Sequence, residues 1–136
     1  PNLNLLGTRE IEIYGSMSLE EIESNILKHN NQKSYNLKFD FFQSNTEGEI
    51  VSQIQKAKGK FNGLIINAGG LSHTSVAILD ALLAIDIPKI EVHLSNLYKR
   101  EEFRHHSFIS KGVNGIICGF GANSYLLAVD GMVKLI

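Results

Sequence analysis

Apolar positions along this chain alternate between two rhythms. Short apolar runs rich in β-branched or aromatic residues, Leu37–Phe42, Gly63–Asn67, Lys89–Leu94 and Gly115–Cys118, read as strands. Between them the apolar spacing changes to three and four, the mark of helices with one inward face. The first helix opens at Ser18, where Glu21 three residues on makes a capping box, with Leu19, Ile22, Ile26 and Leu27 inward. The second opens near Thr46 with Glu49 as its box partner and turns Ile50, Val51 and Ile54 inward. A third runs from about Ser75 to Ile85 on Val76, Leu79, Leu82 and Leu83, and Pro88 marks the turn back into the sheet. The last begins near Asn123 and is still running at Ile136.

Strand–helix alternation with short connections predicts an α/β fold, with parallel strands covered by helices on both faces. No linker, repeat or low-complexity segment interrupts residues 1–136, which read as one domain. The chain starts in a loop at Pro1, so an edge in the middle of the sheet would stand exposed, and a first strand is expected just upstream.

Composition narrows the function without selecting it. The 136 residues are 43% hydrophobic and 20% charged, ordinary globular values, with a formal net charge of −1. That balance gives no basic face for nucleic acid or an anionic membrane. No apolar stretch approaches the ~18 residues of a membrane helix and no signal peptide opens the chain, so the expectation is a cytoplasmic protein. The lone Cys118, in the apolar run Gly115–Cys118, reads as a buried structural thiol.

Ligands of open parallel sheets bind beyond the carboxyl ends of the strands, and three polar clusters map there. They are the loop Pro1–Tyr14, the segment Asn67–Ser75 (NAGGLSHTS) and the segment Glu91–Asn96 (EVHLSN). Strand period puts Ile90, Val92 and Leu94 on one face, so Glu91 and His93 share the other. This is either a satisfied structural pair or a carboxylate that orients an imidazole and raises its proton affinity for general-acid work. After the second strand, Gly69 and Gly70 allow close backbone approach to a ligand, and Asn67 offers both donor and acceptor. His73 packs the loop before a helix or faces a ligand; sequence leaves both open. A guanidinium such as Arg9 near Tyr14 would favour tyrosinate and prepare a phenolate base. The run Arg100–His106 (REEFRHH) is a solvated, salt-bridged helix unless Arg104 reaches inward.

Other chemistries fit less well. Gly119-Phe120-Gly121 stands between a strand and a helix, but Ser124 occupies the third glycine of a dinucleotide fingerprint. There is no Walker loop, and no Cys, His and carboxylate set has zinc spacing, so no metal is expected. A flavodoxin-like binding module using the Gly119–Gly121 turn, or an inactive relative kept for assembly, are the rivals to an enzyme.

Taken together, PNLNLLGTREIEIYG (Pro1–Gly15), FFQSNTEGEI (Phe41–Ile50), NAGGLSHTSVAILDAL (Asn67–Leu82), IEVHLSN (Ile90–Asn96), REEFRHHS (Arg100–Ser107) and GIICGFGANSYLLA (Gly115–Ala128) resemble the type II 3-dehydroquinate dehydratases over essentially the whole chain. The resemblance implies a flavodoxin-like three-layer sandwich with a five-stranded parallel sheet in the order 2-1-3-4-5, and trimers that build a dodecamer. It also implies a short strand before Pro1 and a final helix continuing past Ile136. The activity implied is cofactor-free elimination of water from 3-dehydroquinate. By the same resemblance, Tyr14 is the base that removes a C2 proton, and Arg9 stabilises the phenolate and the enolate-like transition state from a closing loop. His93 protonates the departing hydroxyl with Glu91 behind it, and Asn2 holds a water near the developing enolate. The N–H groups of Leu94 and Ser95 grip the substrate carboxylate, with Asn67, His73 and Arg104 on the ring substituents and carboxylate. Asp80 matches a residue brought in from a neighbouring subunit. Ile11 departs from the family, which usually has proline there, and leaves the Arg9 loop more mobile.

Overall fold

The computed structural model describes residues 1–136, whose centre is a parallel three-stranded sheet. Its strands β1 (Leu64–Ile66), β2 (Lys89–His93) and β3 (Gly115–Cys118) lie side by side in chain order. The register sets Ile66 beside Glu91 and His93 beside Cys118, which aligns the carboxyl ends of all three strands on one rim. The middle strand β2 is buried along its whole length, as a parallel strand covered on both faces must be.

Five α-helices surround the sheet: α1 (Ile11–Tyr14), α2 (Leu19–Lys33), α3 (Glu47–Lys56), α4 (Val76–Leu83) and α5 (Asn123–Met132). α2 and α5 pack together on one face, where Ile22, Ile26 and Val129 meet Leu94, while Ala128 and Met132 meet Ile90 and Val92. α3 and α4 cover the other face through Ile54, Ile78, Ala81 and Leu82, which pack with Ile66 and Ile109. No helix is long and apolar enough to cross a membrane.

Local signals in the sequence set several of these boundaries. The Ser18 side chain accepts from the Glu21 N–H at 3.2 Å, and Glu21 accepts from the Ser18 N–H at 2.8 Å, closing the expected capping box of α2. Ser75 caps α4 by accepting from the Ile78 N–H at 2.9 Å.

Other expectations are corrected. Leu37–Phe42 forms no strand: its main chain has no ladder partner in the structure. It is held partly by Asn30, whose buried side chain bonds both the N–H and C=O of Leu37, at 3.0 and 3.2 Å. Thr46 makes no side-chain capping bond; its N–H donates to the Ser44 hydroxyl at 2.9 Å, and that hydroxyl in turn donates to the Glu49 carboxylate. Leu27 is 45% exposed, one 100° step off the Ile22–Ile26–Asn30 stripe. Val76 and Leu83, at 51% and 59%, lie on the outer side of a helix that is apolar nearly all round. α5 stops at Met132 and the residues after it only turn, so the helix does not run to Ile136. Cys118 is half-buried because β3 is an edge strand with one flank uncovered.

Candidate active site

A cleft of about 140 Å³ opens beyond the carboxyl ends of β1 and β2. Three stretches of chain build it. Pro1, Asn2, Leu3, Leu6, Arg9 and Tyr14 come from the first loop and α1; Asn67, Gly69, Gly70 and His73 follow β1; His93, Leu94, Ser95, Leu97, Arg100 and Arg104 follow β2.

The deepest chemistry lies where β2 ends. Glu91 is completely buried and His93 is 5% exposed, and they are joined by a 2.6 Å bond between Nε2 of His93 and Oε1 of Glu91. The Ser107 hydroxyl donates to the same Glu91 oxygen at 2.9 Å, and the Ser110 hydroxyl donates to the other. Burial alone would push this carboxyl up, but the bonds from His93, Ser110 and Ser107 outweigh it and hold it below the usual carboxylate range. With Nε2 of His93 committed to Glu91, Nδ1 is the ring nitrogen left free. The His73 ring stacks 6.4 Å from that of His93, and its Nδ1 is bonded to the His106 carbonyl at 2.8 Å.

Tyr14, the last residue of α1, stands between two guanidinium groups. Arg9 lies over its ring at 4.9 Å from the centroid, and its Nε is engaged by Glu10 at 2.6 Å. Arg100 Nη1 donates to the Tyr14 hydroxyl at 3.2 Å, and this bond is the main reason the guanidinium holds its proton more tightly than usual. Arg104 is turned toward Glu101, to which its Nε donates at 2.8 Å, while still lining the cleft.

The rest of the wall is fixed by backbone geometry. Gly69 sits at φ +54, and a Cβ there would stand 3.2 Å from the Pro1 carbonyl, so the absent side chain lets the two loops meet. Asn67 accepts from the Gly69 N–H at 3.1 Å and donates to the Tyr125 hydroxyl at 3.0 Å. Asn2, in the left-handed region at φ 64, donates its N–H to Asn45 at 2.7 Å.

The structure thus brings together Tyr14, Arg9, His93, Asn2, Asn67, His73, Leu94, Ser95 and Arg104, with Glu91 directly behind His93. Asp80 is not among them; it is exposed on α4. The sequence reading missed Arg100, which heads the charged run one helical turn before Arg104. It also missed Ser107 and Ser110, whose spacing of three is the only sequence sign that both reach one buried group. No three His, Cys, Asp or Glu side chains converge in a metal-binding group.

Such a cleft, at the rim of a parallel sheet with a buried His–Glu pair and a guanidinium-bound phenol, places the protein among the α/β enzymes. The family described as Dehydroquinase class II matches residues 1–133. A 3-dehydroquinate dehydratase of Prochlorococcus marinus (strain NATL1A) is 56% identical over 134 residues, covering 98% of this chain and 91% of that protein. One from Campylobacter jejuni (strain 81-176) is 51% identical over 135 residues, covering 99% and 84%. The crystal structure of a type II dehydroquinase from Butyrivibrio crossotus superposes with a TM-score of 0.92 at 44% identity, covering 97% of this chain and 91% of that one. A type II dehydroquinase from Propionibacterium acnes gives a TM-score of 0.92 at 36% identity, covering 98% and 91%. The chain belongs to the class II dehydroquinase family.

Proposed function

We propose that this protein is a 3-dehydroquinate dehydratase that eliminates water from 3-dehydroquinate to give 3-dehydroshikimate, the third step of the shikimate pathway. The observation that carries the reading is the placement of a guanidinium-bound Tyr14 hydroxyl and the Glu91-backed His93 in one cleft. Removing a proton next to a ketone and expelling a hydroxyl needs a base, an acid and stabilisation of an enolate.

In the proposed sequence Tyr14, as phenolate, takes the C2 proton, and the electron pair moves onto the ketone oxygen as an enolate. Arg9 and Arg100 balance the charge on the phenolate, and Asn2 holds a water at the enolate oxygen. The enolate then collapses, the C1–O bond breaks, and His93 delivers a proton so that the hydroxyl leaves as water. The N–H groups of Leu94 and Ser95 bind the substrate carboxylate, and Asn67, His73 and Arg104 bind the ring substituents and carboxylate. Acid and base contributions of roughly 10²–10⁴-fold each supply much of the acceleration. No cofactor takes part. The base acts ionised and the acid protonated, so a pH profile with an acidic and an alkaline limb is expected.

The same reading gives one dehydroquinase domain working in the cytoplasm, with the observed β1-β2-β3 order as one side of a five-stranded flavodoxin-like sheet in the order 2-1-3-4-5, in which Leu37–Phe42 would find its ladder partner in a strand before Pro1. It also gives a trimer-based dodecamer in which Asp80 reaches a neighbour's site. Val76, Asp80 and Leu83 form one exposed stripe along α4, two apolar residues flanking a carboxylate, which suits such a contact.

The test is absorbance of the conjugated enone product on mixing the protein with 3-dehydroquinate, with chelator present and no cofactor added. Product under chelation is the expected result. A folded protein that binds 3-dehydroquinate and forms no product would exclude the dehydratase reading.

A further inference from the structure

We propose that Ser107 and Ser110 are positioning residues for the acid: their hydroxyls hold the Glu91 carboxylate in place as the acceptor that aims His93 into the cleft. This rests on the dehydratase reading, in which His93 protonates the leaving hydroxyl.

Glu91 has no access to solvent, so its charge must be met inside the protein. A carboxylate offers about four acceptor positions. Three donors occupy three of them here: His93 Nε2 and Ser107 Oγ on Oε1, and Ser110 Oγ on Oε2. Both oxygens are pinned, so the carboxylate plane cannot turn and the imidazole bonded to it cannot swing. The serines are themselves directed. The Ser110 N–H donates to Ser107 Oγ at 3.3 Å, which leaves the Ser107 proton for an acceptor. That proton has two choices, the Glu91 oxygen at 2.9 Å and the Ser72 carbonyl at 3.4 Å, and the nearer, charged one is favoured. The segment carrying the serines is anchored by the Phe108 N–H on the Ser72 carbonyl at 2.8 Å and by Ile109, which is fully buried.

Without these hydroxyls the carboxylate would keep its desolvation cost and lose two of its three donors. It would then attract the Nε2 proton more strongly and leave the imidazole more basic at Nδ1. The Nδ1 proton, the one not committed to Glu91, would be held tighter, and a tighter proton is a poorer acid at the leaving group. The other titratable or charged groups facing the pair are His73 beside His93, the Cys118 thiol at the paired position of β3 and, across the cleft, Tyr14, Arg9, Arg100 and Arg104. No hydrogen bond joins any of them to the serine hydroxyls, so a change there acts from the Glu91 side.

The experiment is steady-state turnover of 3-dehydroquinate against pH for the wild type, S107A, S110A, S107A/S110A, S110T and E91Q, with each alanine change repeated on E91Q. Each alanine variant is expected to lose roughly tenfold in kcat, the scale of one charge-assisted hydrogen bond, with KM little changed. The alkaline limb of the profile should move to higher pH, and S110T, which keeps a hydroxyl, should restore both. On E91Q the serine changes should cost almost nothing further, because they act through the carboxylate. A serine pair that merely stabilises the fold would lower the amount of folded enzyme and leave the alkaline limb in place. Unmoved limbs with wild-type kcat in S107A and S110A, or serine losses that recur in full on E91Q, would overturn the inference. Should the double variant fail to fold, the single changes and S110T decide by the same criteria. No turnover by the wild type removes the dehydratase reading and this inference with it, whereas wild-type turnover with unaffected serine variants removes this inference alone.

Discussion

One nitrogen of Arg100 lies 3.2 Å from the Tyr14 hydroxyl and 3.3 Å from Ser95 Oγ, tying the end of α1 to the rim beyond β2. Residues 86 positions apart are joined there, and the bond reaches the oxygen on which a base would carry its charge. Arg9 meets the same tyrosine differently, over the face of the ring, with its own Nε spent on Glu10. The two arginines therefore have unequal parts. Arg100→Ala should lower kcat by roughly 10–100-fold, the range for a lost charge-assisted bond, with a smaller effect on KM. Arg100→Lys should recover only part, because a lone ammonium cannot bond Tyr14 and Ser95 while a second nitrogen holds Glu101, as Nε of the guanidinium does at 3.2 Å. Steady-state kinetics of both variants, set beside Arg9→Ala, checks this; equal losses from Arg9 and Arg100 would contradict the unequal roles.

Tyr14→Phe removes one oxygen and keeps the ring that packs under Arg9. Turnover should fall at least ~10²-fold, the lower range for a general base, while substrate binding persists. Isothermal titration of the variant with 3-dehydroquinate, paired with the enone assay, separates the two effects. Retained turnover would remove Tyr14 from the chemistry and favour a binding module or another base.

Much of this site is legible in the sequence where local periodicity controls it. Glu91 and His93 share a strand face because side chains alternate, and Ser18 with Glu21 declares a helix start within four residues. Leu37–Phe42 misleads for a physical reason: a strand exists only with a partner, and an aromatic-rich apolar run does not supply one. The apolar positions of α4 are hard to orient because a helix apolar on nearly every side has no weak face to read, hence the exposed Val76 and Leu83. Arg100 is hidden by its neighbours. A guanidinium in the run REEFRHH looks solvated, and only the tertiary approach of α1 gives it a phenol to hold.

Gly69 offers a test of how the first loop is docked. Its φ is +54, and the Pro1 carbonyl lies 3.2 Å from the point a Cβ would occupy, so a side chain cannot enter without strain. Gly69→Ala should cost about 1–3 kcal/mol, the usual penalty for a non-glycine residue in the left-handed region. It should also push back the Pro1–Leu6 wall of the cleft, raising KM. Urea denaturation and KM measured together decide; an unchanged KM with lowered stability would show that the loop does not shape the site.

Tyr125 supplies a prediction at the alkaline end. Burial raises its phenol from 10 to about 12, against the weaker opposing effect of the bond from Asn67. A phenol that ionises less readily folded than unfolded stabilises the fold as long as it stays protonated. Its contribution is therefore whole below pH 10 and is lost as pH rises from 10 toward 12. Two units correspond to roughly 2–3 kcal/mol over that window. Tyr125→Phe has no proton to lose, so it should start less stable, through the partner taken from Asn67, yet decline less between pH 10 and 12. Urea midpoints for both proteins at pH values of about 8, 10 and 11.5, which start below the window and run through most of it, would show the two curves converging. Parallel curves would mean that the buried phenol does not contribute to alkaline unfolding.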